Sequence, residues 1–214
     1  MKNLFKKDSI ICLVTEGRAT AENFPETSAE ILKIIRAAAR AEISFIQIRE
    51  KQLSAKLVFE LAAEAVKLTR NTQTKILIND RADIALAAGA GGVHLTSQSL
   101  PPEIVRRRFT ENFIIGVSTH NLEAAASAKK QGADFVTFSP IFDTPSKEIC
   151  GKAQGLEKLR EVCGKLKPFS VVALGGIDET NFSEVLKNGA GGFAAIRFLN
   201  DLFRRGNAGD VKIF

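Results

Sequence analysis

A chain of 214 residues is long enough to bury one substantial core, and 45% apolar with 25% charged residues exclude a disordered protein. The net charge of +6 suits anionic ligands such as phosphates and nucleotides without identifying one. With no nucleic-acid motif beside them, the Lys6-Lys7 and Arg106-Arg107-Arg108 clusters read as solvated surface. Cys12, Cys150 and Cys163 are odd in number and lack metal-ligand spacing, so they read as reduced thiols of a cytoplasmic protein. The apolar run broken at Glu16 is too short for a signal peptide, and no segment is expected to span a bilayer.

In chain order, strands are predicted at Ile10-Thr15, Phe45-Ile48, Lys75-Ile78, Gly92-Leu95, Phe113-Val117, Phe135-Ser139, Ser170-Ala173 and Phe193-Ile196. They are near-continuous apolar runs, the pattern of strands covered on both faces. Helical patterns fall between them at Ala29-Ala41, Ala55-Arg70, Leu122-Lys130 and Asn181-Lys187, with Ser28, Ser54, Asn121 and Asp178 as capping candidates. A weak repeat, beginning at Gly89, Gly132 and Gly189, joins a helix end to a strand start, where glycine suits a left-handed cap. Eight such alternations predict an α/β protein, a single-domain (β/α)8 TIM barrel over residues 1–214 with a short final helix. A doubly wound open sheet is the alternative, but no Gly-x-Gly-x-x-Gly follows the first strand.

Polar groups collect where these strands end. Gln47, Arg49 and Lys51 alternate with Ile46, Ile48 and Glu50, so one face carries an amide and two cations. An anionic ligand would offset the cost of burying them, and solvated charges at a strand end are the alternative. Strand three ends Asn79-Asp80-Arg81, and Asp80 reads either as a ligand or as a helix cap. Asp83 reads as a first-turn helix residue. Strand five ends Ser118-Thr119-His120, strand six runs into Asp143-Thr144-Pro145-Ser146-Lys147, and strand seven ends Gly175-Gly176-Ile177. His120 suits either structural hydrogen bonding or proton transfer, and the glycine pair suits either a tight turn or phosphate binding through backbone N–H groups. No Ser-His-Asp order, zinc spacing or P-loop occurs.

Six segments in order, Gln47-Lys51, Ile78-Arg81, Gly92-Leu95, Gly116-His120, Thr144-Lys147 and Ala173-Ile177, resemble the thiamine-phosphate synthase family and its sister group of thiazole tautomerases. The resemblance implies an enzyme that joins a hydroxymethylpyrimidine diphosphate to a thiazole phosphate and releases diphosphate. It implies Gln47 on the pyrimidine, Arg49, Lys51, Asn79 and Lys147 on the diphosphate, and Asp80 on Mg²⁺. Ser118 would face the pyrimidine and diphosphate, while Thr144, Ser146 and the Gly176 backbone would receive the thiazole phosphate. Ser146 keeps the hydroxyl where the synthases usually have Thr. Ser99 stands where they usually have a second metal-binding Asp, and a hydroxyl is a poor substitute there. Ile196 ends strand eight and Arg197 follows it, where the family usually has a small residue; Arg197 would clamp a phosphate or block the pocket. The implied catalytic set is Arg49, Lys51, Lys147 and His120. By resemblance to the sister group, His120 would be the proton carrier of a metal-free tautomerase, the alternative function, and a non-catalytic phosphate-binding barrel is a third. The partners implied are phosphorylated small molecules, not nucleic acid or membrane, and self-association is left open.

Overall fold

The computed structural model describes residues 9–144 and 152–205, within which eight strands alternate with eight helices. The strands are β1 (Ile10–Val14), β2 (Phe45–Ile48), β3 (Lys75–Asn79), β4 (Gly92–Leu95), β5 (Ile114–Thr119), β6 (Phe135–Phe138), β7 (Ser170–Leu174) and β8 (Gly192–Ala195). They close into a barrel in chain order. The expected (β/α)8 barrel is therefore present. Pairing is parallel, with Gln47 opposite Leu77 and Ser118 opposite Thr137 in the register. The helices are α1 (Phe24–Arg40), α2 (Ala55–Thr69), α3 (Ala82–Ala88), α4 (Pro102–Arg106), α5 (Leu122–Lys130), α6 (Gly155–Leu166), α7 (Phe182–Lys187) and α8 (Arg197–Arg205). Among the described residues no helix is long and apolar enough to cross a membrane.

Contacts group the described chain into two compact units, residues 12–93 with 196–205 and residues 9–11 with 94–195. In the first, Ile46, Ile48, Ile76, Leu77 and Ile78 are buried, and α1 buries Ile31, Ile34, Ile35, Ala38 and Ala39, one stripe at helical spacing. In the second, Ile115, Phe135, Val136, Phe138, Val171 and Val172 are buried. Arg106 is half-buried and donates to the carbonyls of Gly132 and Phe113 and to Asp134, so only Arg107 and Arg108 of that cluster are solvated surface.

Helix α1 starts at Phe24 rather than Ala29, since Pro25 supplies a helical φ in the first turn and Glu26 favours the positive helix end. Ser28 consequently lies inside the helix and donates to the Pro25 carbonyl, so it is not a cap. Asp178 is not one either; it accepts from Thr180 in the preceding turn, and those bonds hold its carboxyl below the usual range. Ser54 and Asn121 do cap, accepting from the Leu57 and Ala124 N–H groups.

The glycine repeat is one structural device used three times. Gly89, Gly132 and Gly189 have φ of +69°, +89° and +92°, and each N–H bonds three residues back. The following Ala90, Ala133 and Ala190 bond five residues back, and the next N–H bonds the preceding strand at Ile76, Ile115 and Val171. A fourth copy, after α1, has Glu42 in the glycine position at φ +54°. These caps return the chain to the start of the next strand, which fixes where that strand begins.

Candidate active site

In the first unit, β2 ends at Ile48, one residue short of the cationic pair. Gln47 is buried, and its side-chain amide donates to Asn79 Oδ1 at 3.1 Å. The Arg49 backbone N–H donates to Thr15 Oγ1 at 2.8 Å; Arg49 is half-buried and Lys51 is exposed in the turn beyond. Alternation therefore carries Gln47 inward, but past Ile48 position is set by hydrogen bonds to residues 15–19 rather than by the strand's period. Glu50 is 5% exposed and accepts from the backbone N–H groups of Gly17 (3.0 Å) and Ala19 (2.8 Å). Asp80 follows β3 at φ +64°, an uncommon conformation for a residue with a side chain, and is exposed. It does not cap α3, whose first turn has no side-chain cap bond. Asp83 does lie in that first turn. It takes both arms of the Arg81 guanidinium, and this bond lowers its carboxyl pKa.

In the second unit, β4 and β5 bring two polar side chains together. His94 is 2% exposed, and its Nε2 lies 3.1 Å from Ser118 Oγ and 3.4 Å from Thr137 Oγ1. Gly116 makes room for this group, because a Cβ there would stand 2.4 Å from the Phe135 ring and 2.7 Å from His94 Nδ1. The imidazole is a part of the site that the sequence motif contained but to which no role was given; a His in a wholly apolar strand was its signal. His120 is exposed, with Nδ1 2.8 Å from the Ser139 carbonyl. A carbonyl only accepts, so Nδ1 carries hydrogen and Nε2 is the nitrogen able to exchange a proton.

After β7, Gly175 and Gly176 have φ of +100° and +66°. A Cβ on Gly176 would stand 2.6 Å from the Asp143 carbonyl oxygen and 2.7 Å from Phe142 Cβ, so glycine is required where the β7 turn meets the β6 loop. The Asn181 side chain donates to the Gly176 carbonyl at 2.9 Å and sets the orientation of that peptide. Thr144 is half-buried beside this loop, whereas Ser146 and Lys147 lie outside the described residues, as does Cys150. Arg197 is exposed and opens α8; Ile196 accepts from Asn200 through its carbonyl.

The donor set accommodates a divalent ion only in part. Among the described residues no three His, Cys, Asp or Glu side chains gather into a metal-binding group. Ser99 Oγ accepts from the Thr96 N–H at 2.7 Å and lies 3.1 Å from Thr96 Oγ1, which ties it into a local turn. Asp80 is one carboxylate. That fits Mg²⁺, which commonly takes one or two protein carboxylates and completes its shell with water and substrate phosphate oxygens.

The chain is a closed (β/α)8 barrel with the amides Gln47 and Asn79 on β2 and β3 and the cations Arg49, Lys51 and Arg81 just beyond those strands; enzymes of this fold carry their active groups where the strands end. The family model described as thiamine monophosphate synthase matches residues 11–199. The thiamine-phosphate synthase of Methanosarcina barkeri is 41% identical over 165 residues, covering 77% of this chain and 74% of that protein. That of Methanosarcina mazei is 37% identical over 196 residues, 92% of this chain and 78% of that protein. The solved thiamine phosphate pyrophosphorylase from Pyrococcus furiosus superposes with a TM-score of 0.75 at 30% identity, covering 92% of this chain and 93% of that one. The chain belongs to the thiamine monophosphate synthase family.

Proposed function

We propose that this protein catalyses thiamine-phosphate synthesis, transferring a hydroxymethylpyrimidine group from its diphosphate to the ring nitrogen of a thiazole phosphate. Family membership along residues 11–199 carries the reading. The C–O bond to the diphosphate breaks first, leaving a pyrimidine-methyl cation and free diphosphate; the thiazole nitrogen lone pair then forms the new C–N bond. Little acid–base help is needed. The protein's task is to stabilise negative charge on the leaving group and keep water from the cation.

In this reading Gln47 binds the pyrimidine, and its bond to Asn79 supports that role by fixing which way the amide faces. Arg49, Lys51, Asn79 and Lys147 bind the diphosphate. Ser118, oriented by His94, addresses the pyrimidine side of that substrate. Thr144, Ser146 and the Gly176 backbone receive the thiazole phosphate, and Ile196 and Arg197 complete the substrate-binding set, Arg197 as a phosphate clamp. Mg²⁺ held by Asp80 would neutralise part of the diphosphate charge when bound. Residues 1–214 act as one barrel domain of a cytoplasmic enzyme.

His120 supports a second reading, since its Nδ1 bond leaves Nε2 available for proton transfer in a metal-free thiazole tautomerase. Calorimetric titration separates the two. A synthase binds both the pyrimidine diphosphate and the thiazole phosphate; binding of a thiazole ligand alone, with metal-free proton exchange lost in His120→Ala, would establish the tautomerase.

A further inference from the structure

Glu50 is a buried carboxylate that the proposed reaction does not use. In sequence it falls between Arg49 and Lys51, and both of its oxygens are committed to backbone N–H groups of the segment after β1, Gly17 and Ala19. Burying a carboxylate is costly, and two charge-assisted bonds offset that cost only while the segment keeps its place. The same segment also meets Arg49. Thr15, 1% exposed, accepts from the Arg49 N–H, and a Cβ on Gly17 would stand 3.3 Å from the Arg49 carbonyl oxygen and 3.7 Å from Arg49 NH1. The guanidinium thus lies along a backbone stretch at φ +74° that Glu50 holds.

Further bonds anchor that stretch within the same unit. Asn200, 2% exposed, donates to the Val14 carbonyl at 2.8 Å. Arg204 joins Glu16, Glu30 and Asp201, and Arg18 pairs with Glu16. The β1 segment is consequently a fixed support.

We infer that Glu50 is a positioning residue: by clasping Gly17 and Ala19 it presses the β1 segment against Arg49 and holds the guanidinium ready for the diphosphate. This rests on the reading of Arg49 as a diphosphate ligand. A Glu50→Gln side chain keeps one acceptor and sets an NH₂ against one of the two N–H donors, which opens half of the clasp.

The test is a double-mutant cycle on the full chain, reading the affinity for inorganic diphosphate. Arg49→Ala should weaken it about tenfold or more, as loss of a charge-assisted bond does. Glu50→Gln should weaken it several-fold, and the double variant should bind no worse than Arg49→Ala alone. A stability effect unconnected with Arg49 would instead add to that of Arg49→Ala. Additive losses, or unchanged affinity in Glu50→Gln while Arg49→Ala is impaired, would overturn the inference. Unchanged affinity in Arg49→Ala would remove the diphosphate reading itself, and the inference with it. Should Glu50→Gln fail to fold, Glu50→Asp, which keeps the charge but shortens the reach to the Gly17 and Ala19 N–H groups, completes the cycle with the same criteria.

Discussion

Glu42 occupies the left-handed cap position that glycine fills at the ends of α3, α5 and α7, so replacing it tests how these caps work. Its φ is +54°, and the bonds Glu42 N–H to Ala39 and Ile43 N–H to Ala38 repeat those around Gly89. A residue with a Cβ pays about 1–2 kcal/mol in this conformation. Glycine removes that strain, but its freer unfolded chain returns about 0.4–1 kcal/mol. Glu42→Gly should therefore stabilise by about 0.5–1 kcal/mol, with a few tenths more from removing a carboxylate at the negative end of α1. For a chain of this length that is a rise of about 1–4 °C in Tm. The reciprocal change is Gly89→Ala, where a new Cβ meets nothing within 4 Å, so only the backbone cost is felt. It should lower Tm by a similar amount. Calorimetric melting of both variants gives the comparison, provided unfolding is reversible. A Tm unchanged or lowered in Glu42→Gly, with Gly89→Ala neutral, would refute the argument that backbone conformation dominates at these ends.

Lys51→Ala and Arg49→Ala should each lose about 2–4 kcal/mol of transition-state stabilisation, a fall in kcat/KM of about 30- to 1,000-fold; near-normal turnover in both would remove the diphosphate cradle. Gly176→Ala sets a Cβ 2.6 Å from the Asp143 carbonyl oxygen, so KM for the thiazole phosphate should rise about tenfold while that for the pyrimidine diphosphate changes little. Equal changes in both would contradict the placement of the thiazole phosphate at this turn. Burial pushes the thiol of Cys12 up to about 12 and that of Cys163 up to about 11, so neither should be alkylated by iodoacetamide at pH 8 until the protein is unfolded. Rapid labelling of Cys12 in the native state, located by mass spectrometry, would show that its burial is wrong.

Much of the fold was legible because the governing signals are local. Apolar runs mark strands covered on both faces, and Gly89, Gly132 and Gly189 mark helix ends, so β2 and β4 have their predicted bounds and α5 does as well. Cap assignment failed at Ser28 and Asp178, where a proline in the first turn and an Asx-type turn overrode the preference of the side chain. The site was legible as a set of residue types at strand ends. What bonds to what was not, because those contacts join residues far apart in sequence. Glu50 meets Gly17 and Ala19, His94 meets Ser118, and Gln47 meets Asn79. Glu50 did carry a signal, a carboxylate in phase with buried Ile46 and Ile48. The sequence places Ser99 at the position of the usual second metal ligand but could not show that its hydroxyl accepts from the Thr96 N–H.

The measurement that tests the account most directly is thiamine-phosphate formation by the purified chain from the two substrates, with Mg²⁺ and then with excess chelator. The account predicts product with Mg²⁺, its loss in chelator, and recovery when Mg²⁺ is restored. No product from folded protein that binds both substrates would contradict it.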